Sequence, residues 1–363
     1  MPVLDKDNSA ALARYRRFVE QSPYGTLYQD PRWRAVKAEW ESAFVYLERG
    51  GEITAALSLL IKRTGPFSML YAPRGPVCDP KDTGTIKRLI AEAEPVARAH
   101  RAFLLRMDPP VRHDEDLRQK YEATGFCVRG REANIRAFIQ PRLNMVLYLK
   151  GETEETLFPK LSKTGRKYVR SAQREGVRVR HSRDKEALDA LYSLYAGTAE
   201  RKHFGKRSYG YLKRLLEAYD GARIYLAEHE GDLLAAALCI RYNKNVWCAY
   251  SGTADIKPSC RANSLIRWEM IKWAISEGCE TFDLGGVFAA DSTDGLYEFK
   301  ERFCHKDGHT EYIGELDYVY RPIVYAMAIR FGPFVLRRLR RLRKRLKGLS
   351  GGGEKGESAG KNE

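Results

Sequence analysis

The sequence predicts an α/β protein of mixed sheets, built as two copies of one unit in tandem, and three observations carry that prediction. The stretch GGEITAALSLL, from Gly50 to Leu60, returns as EGDLLAAALCI, from Glu230 to Ile240, about half a chain later. A β-branched and aromatic run precedes each, AFVYLER from Ala43 and ARIYLAEH from Ala222, with a glycine turn between, Gly51-Glu52 or Gly231-Asp232. Each pair therefore reads as a hairpin. Three further elements then follow in the same order in both halves: a strand, an amphipathic helix and another strand. Matched order over so many elements is the mark of an internal duplication.

Taken in order, the first half continues with SMLYAPRGPV, the helical TGTIKRLIAEAEPVARAH and the strand RAFLLRMDP. The second half answers with VWCAYSGTAD, ANSLIRWEMIKWAISEG and ETFDLGGV. Ahead of the first hairpin, Asp30 as cap and Pro31 at the first helical position open a short helix with Trp33, Val36 and Trp40 as its apolar stripe. Between the halves, LSKTGRKYVRSAQREG reads as a strongly basic helix. This order is that of the Gcn5-related N-acyltransferase fold, so two such units are expected, at residues 1–142 and 143–317. Residues 318–332 are expected to return to the first unit, 333–349 to form a basic amphipathic helix, and 350–363 to be a disordered tail.

Composition narrows the function. The 363 residues exceed one comfortable core, and 44% apolar with 30% charged content is that of a soluble globular chain. The start, MPVLDKDNSA, has no leader pattern and no run approaches the roughly 20 apolar residues of a membrane span, so a cytoplasmic protein is expected. Seven scattered cysteines without a C-x-x-C pair argue against a disulfide framework and a zinc site, and no metal is expected. The net charge of +16 points to a polyanion. Residues 330–363 hold 11 Lys and Arg against 3 Asp and Glu, so half of that excess lies in the last segment. There Val335, Leu339, Leu342, Leu346 and Leu349 recur at spacings of 4 and 3 among arginines and lysines. An anionic membrane surface, further RNA contact and a solvated extension all remain open for it.

The motifs LYQDPRWRAVKAEW, LYAPRGPVCDPKD, IQPRLNMVLYL, KTGRKYVRSAQREGVRV, FDLGGV and GLYEFKERF resemble, in order, those of the Fem family of peptidoglycan-bridge aminoacyltransferases. That resemblance covers about Leu27 to Tyr325. It implies aminoacyl-tRNA as donor and, as acceptor, the stem peptide of UDP-MurNAc-pentapeptide or lipid II. A small amino acid (Gly, Ala or Ser), no cofactor and a monomer are expected. No long helical-hairpin arm interrupts the second half, which looks like the armless FemX type. Acyl-coenzyme A is disfavoured, because neither half has the glycine-rich turn that cradles its pyrophosphate. An acyl-coenzyme A transferase and a non-catalytic RNA- or membrane-binding module are the alternatives.

By the resemblance, Lys300 lies near the donor, where an ammonium could stabilise the oxyanion or hold a terminal phosphate, and Phe299 shapes the wall or stacks on the terminal adenosine. Asp108 is read either as the proton acceptor or as a turn residue before Pro109-Pro110. Lys37, Arg207, Tyr211 and Tyr250 would hold the diphosphate and sugar of the precursor, Arg207 and Tyr211 sharing one face if that stretch is helical. Gly285 and Gly286 either admit a substrate backbone or mark a plain turn. Arg74-Gly75-Pro76 reads as a rigid structural turn at the domain seam. Lys163, Arg166, Lys167, Arg170 and Arg174 share one broad helix face suited to an RNA backbone, or to solvent.

Overall fold

The computed structural model describes residues 3–5 and 7–330. The expected helix at 333–349 and the tail at 350–363 lie outside them. In the first half, helices α1 (Ser9–Gln21) and α2 (Trp33–Val36) lead into strands β1 (Glu41–Arg49), β2 (Glu52–Thr64) and β3 (Phe67–Ala72). Helix α3 (Thr83–Ala99), strand β4 (Ala102–Met107), helix α4 (Glu115–Ala123) and strand β5 (Cys127–Arg129) follow. The crossing strand β6 (Leu143–Tyr148) opens the second half, with helices α5 (Glu154–Leu157) and α6 (Lys163–Arg174), strand β7 (Arg178–Ser182), and helices α7 (Lys185–Arg201) and α8 (Tyr209–Ala218). Strands β8 (Ala222–His229), β9 (Asp232–Tyr242) and β10 (Asn245–Thr253), helix α9 (Ala262–Ser276) and strand β11 (Thr281–Val287) repeat the first unit's order. Helix α10 (Gly295–Cys304) and strands β12 (Thr310–Glu311) and β13 (Glu315–Val319) complete the chain's named elements.

The repeat is structural in detail. Both hairpins turn through two left-handed residues, Gly50-Gly51 and Glu230-Gly231, since a two-residue turn of this hand needs positive φ at both positions. The turns therefore sit one residue earlier than the sequence suggests. A bulge interrupts each hairpin at the same place, between Leu47 and Glu48 and between Ala227 and Glu228. In both sheets the strand before the amphipathic helix runs parallel to the one after it, β3 with β4 and β10 with β11.

The sheets are completed by exchange. The first sheet runs β1-β2-β3-β4-β13-β5 and the second β12-β6-β11-β10-β9-β8-β7. Each unit thus takes one interior strand from chain that follows the other unit's strands. The return to the first unit begins at Glu315, three residues ahead of the expected boundary, because Leu316 and Asp317 pair with Met107 and Arg106 of β4. Tyr320 and Arg321 then donate their backbone N–H groups to Phe103 O.

Three apolar clusters hold this arrangement. One lies under α3 and α4, and one under α6, α9 and α10. The third joins the units, setting Tyr15, Trp33, Val36 and Tyr71 against Leu188, Leu212, Tyr219 and Leu238. Across it Tyr219 Oη donates to Leu27 O (2.7 Å) and Tyr242 Oη to Asp30 Oδ2 (2.9 Å).

Strand β13 is locked by charge as well as by ladder bonds. Arg106 donates to both carboxylate oxygens of Asp317, at 2.6 Å each, and lies 3.0 Å from Glu315. All three are buried. Removing Arg106 leaves Glu315 to Arg129 and Asp317 to Tyr325 Oη, with the loss of a buried charge partner costing about 3–5 kcal/mol. Arg106→Met is therefore expected to lower the free energy of unfolding measured in urea by an amount of that size and to speed amide exchange in β13. Unchanged stability would show that the network contributes nothing net.

Candidate active site

Where the units meet, a cavity of about 550 Å³ opens. Its walls come from Tyr28, Arg74 and Arg112 of the first half and from Asn144, Trp247, Asp283 and Lys300 of the second. The opening is built by the strands. β10 and β11 stay paired over only three residues, Asn245–Trp247 with Thr281–Asp283, and then part.

Lys300 enters this split from α10, a helix begun by Asp294, whose Oδ1 accepts from Leu296 N. Lys300 lies on the same side of α10 as the buried Phe303 and Cys304, three and four residues on. It is only 8% exposed, and its Nζ donates to Gly286 O at 2.8 Å. Burial pushes its ammonium down to about 8, with Arg267 pushing the same way and Cys248 and Asp283 opposing. Arg267 is itself buried, bonded to Ser251 Oγ at 2.8 Å and without an ion pair among the described residues. The centre thus holds two buried cations, Lys300 and Arg267.

The glycines of β11 make room for the chain's own neighbours. Gly285 has φ +81°, and a Cβ there would stand 3.5 Å from Lys300 Nζ. Gly286 faces the crossing segment, where a Cβ would fall 2.1 Å from Pro141 Cβ. Asp283, two residues before Gly285, caps this turn: Oδ1 accepts from Gly285 N at 2.7 Å and Oδ2 from Asn144 Nδ2 at 3.2 Å. Burial raises the Asp283 carboxyl above its ordinary range. Asn144 Oδ1 is buried with no partner among the described residues, leaving an acceptor free beside this carboxylate. Sequence reasoning missed both residues. A D-x-G turn at a strand end could have marked Asp283, whereas nothing local marks Asn144, which arrives by the pairing of β6 with β11.

Asp108 is placed differently from its reading as proton acceptor. It does not line the cavity, and its oxygens accept from Tyr71 Oη (2.7 Å) and Arg74 N (2.6 Å). In this position it holds the Arg74 turn. Arg74, read as part of a rigid structural turn, also faces the cavity, with its guanidinium 4.8 Å from the Tyr312 ring centroid and Nη2 bonded to Pro141 O at 2.9 Å. Phe299 packs against Phe303 and lies 5.9 Å from the Arg267 guanidinium, behind the cavity lining.

The four expected acceptor residues do come together. Lys37 Nζ lies 5.2 Å and Arg207 Cζ 5.1 Å from the Tyr211 ring centroid, and the Tyr211 and Tyr250 rings are 6.0 Å apart. Burial, then the Arg207 charge, pushes the Lys37 ammonium down to about 8. The local structure departs from expectation: α2 ends at Val36, with Lys37 as its C-cap, and Arg207 precedes α8, whose N-cap is Ser208. Arg207 reaches Tyr211 nonetheless, because its backbone N–H donates to Tyr195 Oη at 3.0 Å. A chain of rings, Tyr28, Trp247 and Tyr250, runs from the cavity to this cluster. On α6, Lys163, Lys167 and Arg170 are exposed, while Arg166 turns its guanidinium onto Pro159 O at 2.7 Å.

The FemAB family profile matches residues 12–232 and 227–331. The chain belongs to the FemAB family. Among its relatives, the UDP-N-acetylmuramoylpentapeptide-lysine N(6)-alanyltransferase of Weissella viridescens is 38% identical over 341 residues, 91% of this chain and all of that protein. A lipid II:glycine glycyltransferase of Staphylococcus haemolyticus is 25% identical, over 87% of this chain and 93% of its own length. The crystal structure of FemX shares the fold with a TM-score of 0.81 at 22% identity, covering 90% of this chain and 99% of that one. Within this FemAB chain, Gly286→Ala is expected to overpack against Pro141, at about 1–3 kcal/mol. Gly285→Ala strains the backbone instead, by about 1–2 kcal/mol. Urea unfolding of both variants checks the pair, and an undisturbed Gly286→Ala protein would contradict the tight approach of Pro141.

Proposed function

We propose that the chain transfers a small amino acid (Gly, Ala or Ser) from aminoacyl-tRNA to a side-chain amine of the peptidoglycan precursor's stem peptide, building the interpeptide bridge. One observation carries this reading: a buried ammonium, Lys300, stands on the wall of a cavity between two units of a FemAB chain. The relatives' names supply the reaction class, and the Weissella protein's name suggests alanine as the amino acid and lysine N6 as the amine.

In this reaction the amine nitrogen attacks the ester carbonyl carbon, forming a C–N bond. The C–O bond to the tRNA ribose breaks, the ribose oxygen leaves with a proton, and the amine loses one. Lys300 Nζ gives one N–H to Gly286 O and keeps two for the oxyanion, in a dry site where such bonds are strong. Asp283, on the cavity wall and with a raised pKa, is placed to take the amine's proton, while Asn144 Oδ1 can orient a second amine N–H. Asp108 acts through Arg74. Phe299 packs on Phe303 beside the Arg267 guanidinium. The diphosphate of the precursor would rest on Lys37 and Arg207 against Tyr211 and Tyr250, with the peptide running along Trp247 and Tyr28 to the cavity.

The test is transfer of radiolabelled alanine, glycine and serine from their tRNAs to the soluble nucleotide-linked and the lipid-linked pentapeptide. Label on either precursor is expected, and Lys300→Ala should lower kcat roughly 10²- to 10³-fold with the fold intact. Asp283→Asn should lower kcat by about 10². Lys37→Met should raise the acceptor KM. Acylation from acyl-coenzyme A alone would overturn the donor, and a Lys300→Ala protein of full activity would overturn the centre.

A further inference from the structure

A second face of the second unit carries charge that the cavity does not use. On α6, Lys163, Lys167, Arg170 and Arg174 are exposed and make no ion pair among the described residues. On other faces several surface bases are matched, as Arg118 is by Glu115 and Glu122, and Lys257 by Glu230 and Asp232. Tyr168, on α6, holds two guanidinium groups from different elements. Arg261, in the turn before α9, lies 4.3 Å from its ring centroid, and Arg302, on α10, lies 5.0 Å from it. Phe158 holds Arg170 in the same way at 5.2 Å.

A guanidinium resting on a ring has less rotational freedom and keeps its N–H edge for a planar or tetrahedral anion. Arg261 makes no ion pair among the described residues and adopts φ +51°, a conformation that a side chain rarely takes. Arg302 keeps a partner in Glu298 at 2.7 Å, and its carbonyl accepts from Ser162 N, which ties α10 to the start of α6. Arg302 also follows Lys300 by two residues in one helix, so α10 presents one side to this patch and another to the cavity. Ring-mounted cations spread over three elements, with few acids among them, suit the phosphates of a flexible single strand.

Resting on the aminoacyl-tRNA reading above, we propose that Arg261 and Arg302, mounted on Tyr168, together with Arg170 on Phe158, bind phosphates of the donor's single-stranded 3′ end and lead its terminal ester to Lys300. The probe is a short single-stranded RNA carrying an amide-linked alanine at its 3′ end, titrated at several salt concentrations, beside steady-state transfer. The Arg261→Gln/Arg302→Gln double variant should bind it at least 10-fold more weakly. Its log K against log salt should be shallower by about 1.4, roughly 0.7 for each phosphate no longer neutralised. Its KM for aminoacyl-tRNA should rise by a similar factor, with little change in kcat and none in the acceptor KM. Tyr168→Leu, which keeps both charges, should give an intermediate loss, and Arg261→Gln alone, at an exposed site, guards against a folding defect. Unchanged affinity and salt slope in a natural protein that does transfer from aminoacyl-tRNA would overturn the proposal, as would an equal loss of acceptor binding. A natural protein that neither binds the RNA nor accepts the tRNA donor would overturn the donor reading itself, and this proposal with it.

Discussion

The exchange of strands β6 and β13 is the constraint on which the rest of the molecule depends. Without β13, Arg106 loses its two buried carboxylates, and the first sheet has no strand between β4 and β5. Without β6, the second sheet loses the strand between β11 and β12. The crossing segment that delivers β6 also runs through the site. Pro141 abuts Gly286 and accepts from Arg74, and Asn144 bonds to Asp283. The connection that interlocks the units is thus the one that assembles the cavity, so small displacements of the units are coupled to the positions of the reacting groups.

Electrostatics then gives the site its character. Lys300 and Arg267 are both buried, Lys37 is half-buried, and Arg74 lines the wall. Taking such cations out of water is costly unless something compensates. Asp283 offsets part of this near Lys300, and Asp108 does so for Arg74. The remaining excess favours anionic ligands and a negatively charged transition state, an attraction that strengthens in a dry setting. No helix among the described residues is long and apolar enough to cross a membrane.

Much of the fold was legible in the sequence because its signals are local. The alternation in AFVYLER and ARIYLAEH, and the helical spacing in both amphipathic helices, each describe one element at a time, and the duplication lets one half check the other. The return of 318–332 to the first unit was expected, but not that Glu315–Val319 enters its sheet as an interior strand, because ELDYV reads as a strand for either unit and only pairing with β4 decides. The same limit applies to the site. Lys300, Lys37, Arg207, Tyr211 and Tyr250 were expected from the resemblance to a family. Asp283 and Asn144 went unseen because their meaning lies in a hydrogen bond between residues 139 apart in the chain. Asp108 was read as either a proton acceptor or a turn residue, and its bonds to Tyr71 Oη and Arg74 N fit the second. Arg207 meets Tyr211 as expected, though by a bond to Tyr195 rather than by a shared helix.

The central claim is that Lys300 works as a buried ammonium whose charge is lost as pH rises through about 8. Its most direct test is the pH dependence of single-turnover transfer at saturating donor, in the natural protein and in Lys300→Arg. Deprotonation of the acceptor amine makes the rate rise with pH in both. Burial holds Lys300 at about 8, so its positive charge disappears as pH rises through that value. Arginine stays charged throughout. The rise should therefore flatten through about pH 8 in the natural protein and continue in the arginine variant, whatever the variant's absolute rate. Parallel profiles without a bend near 8 would contradict the claim.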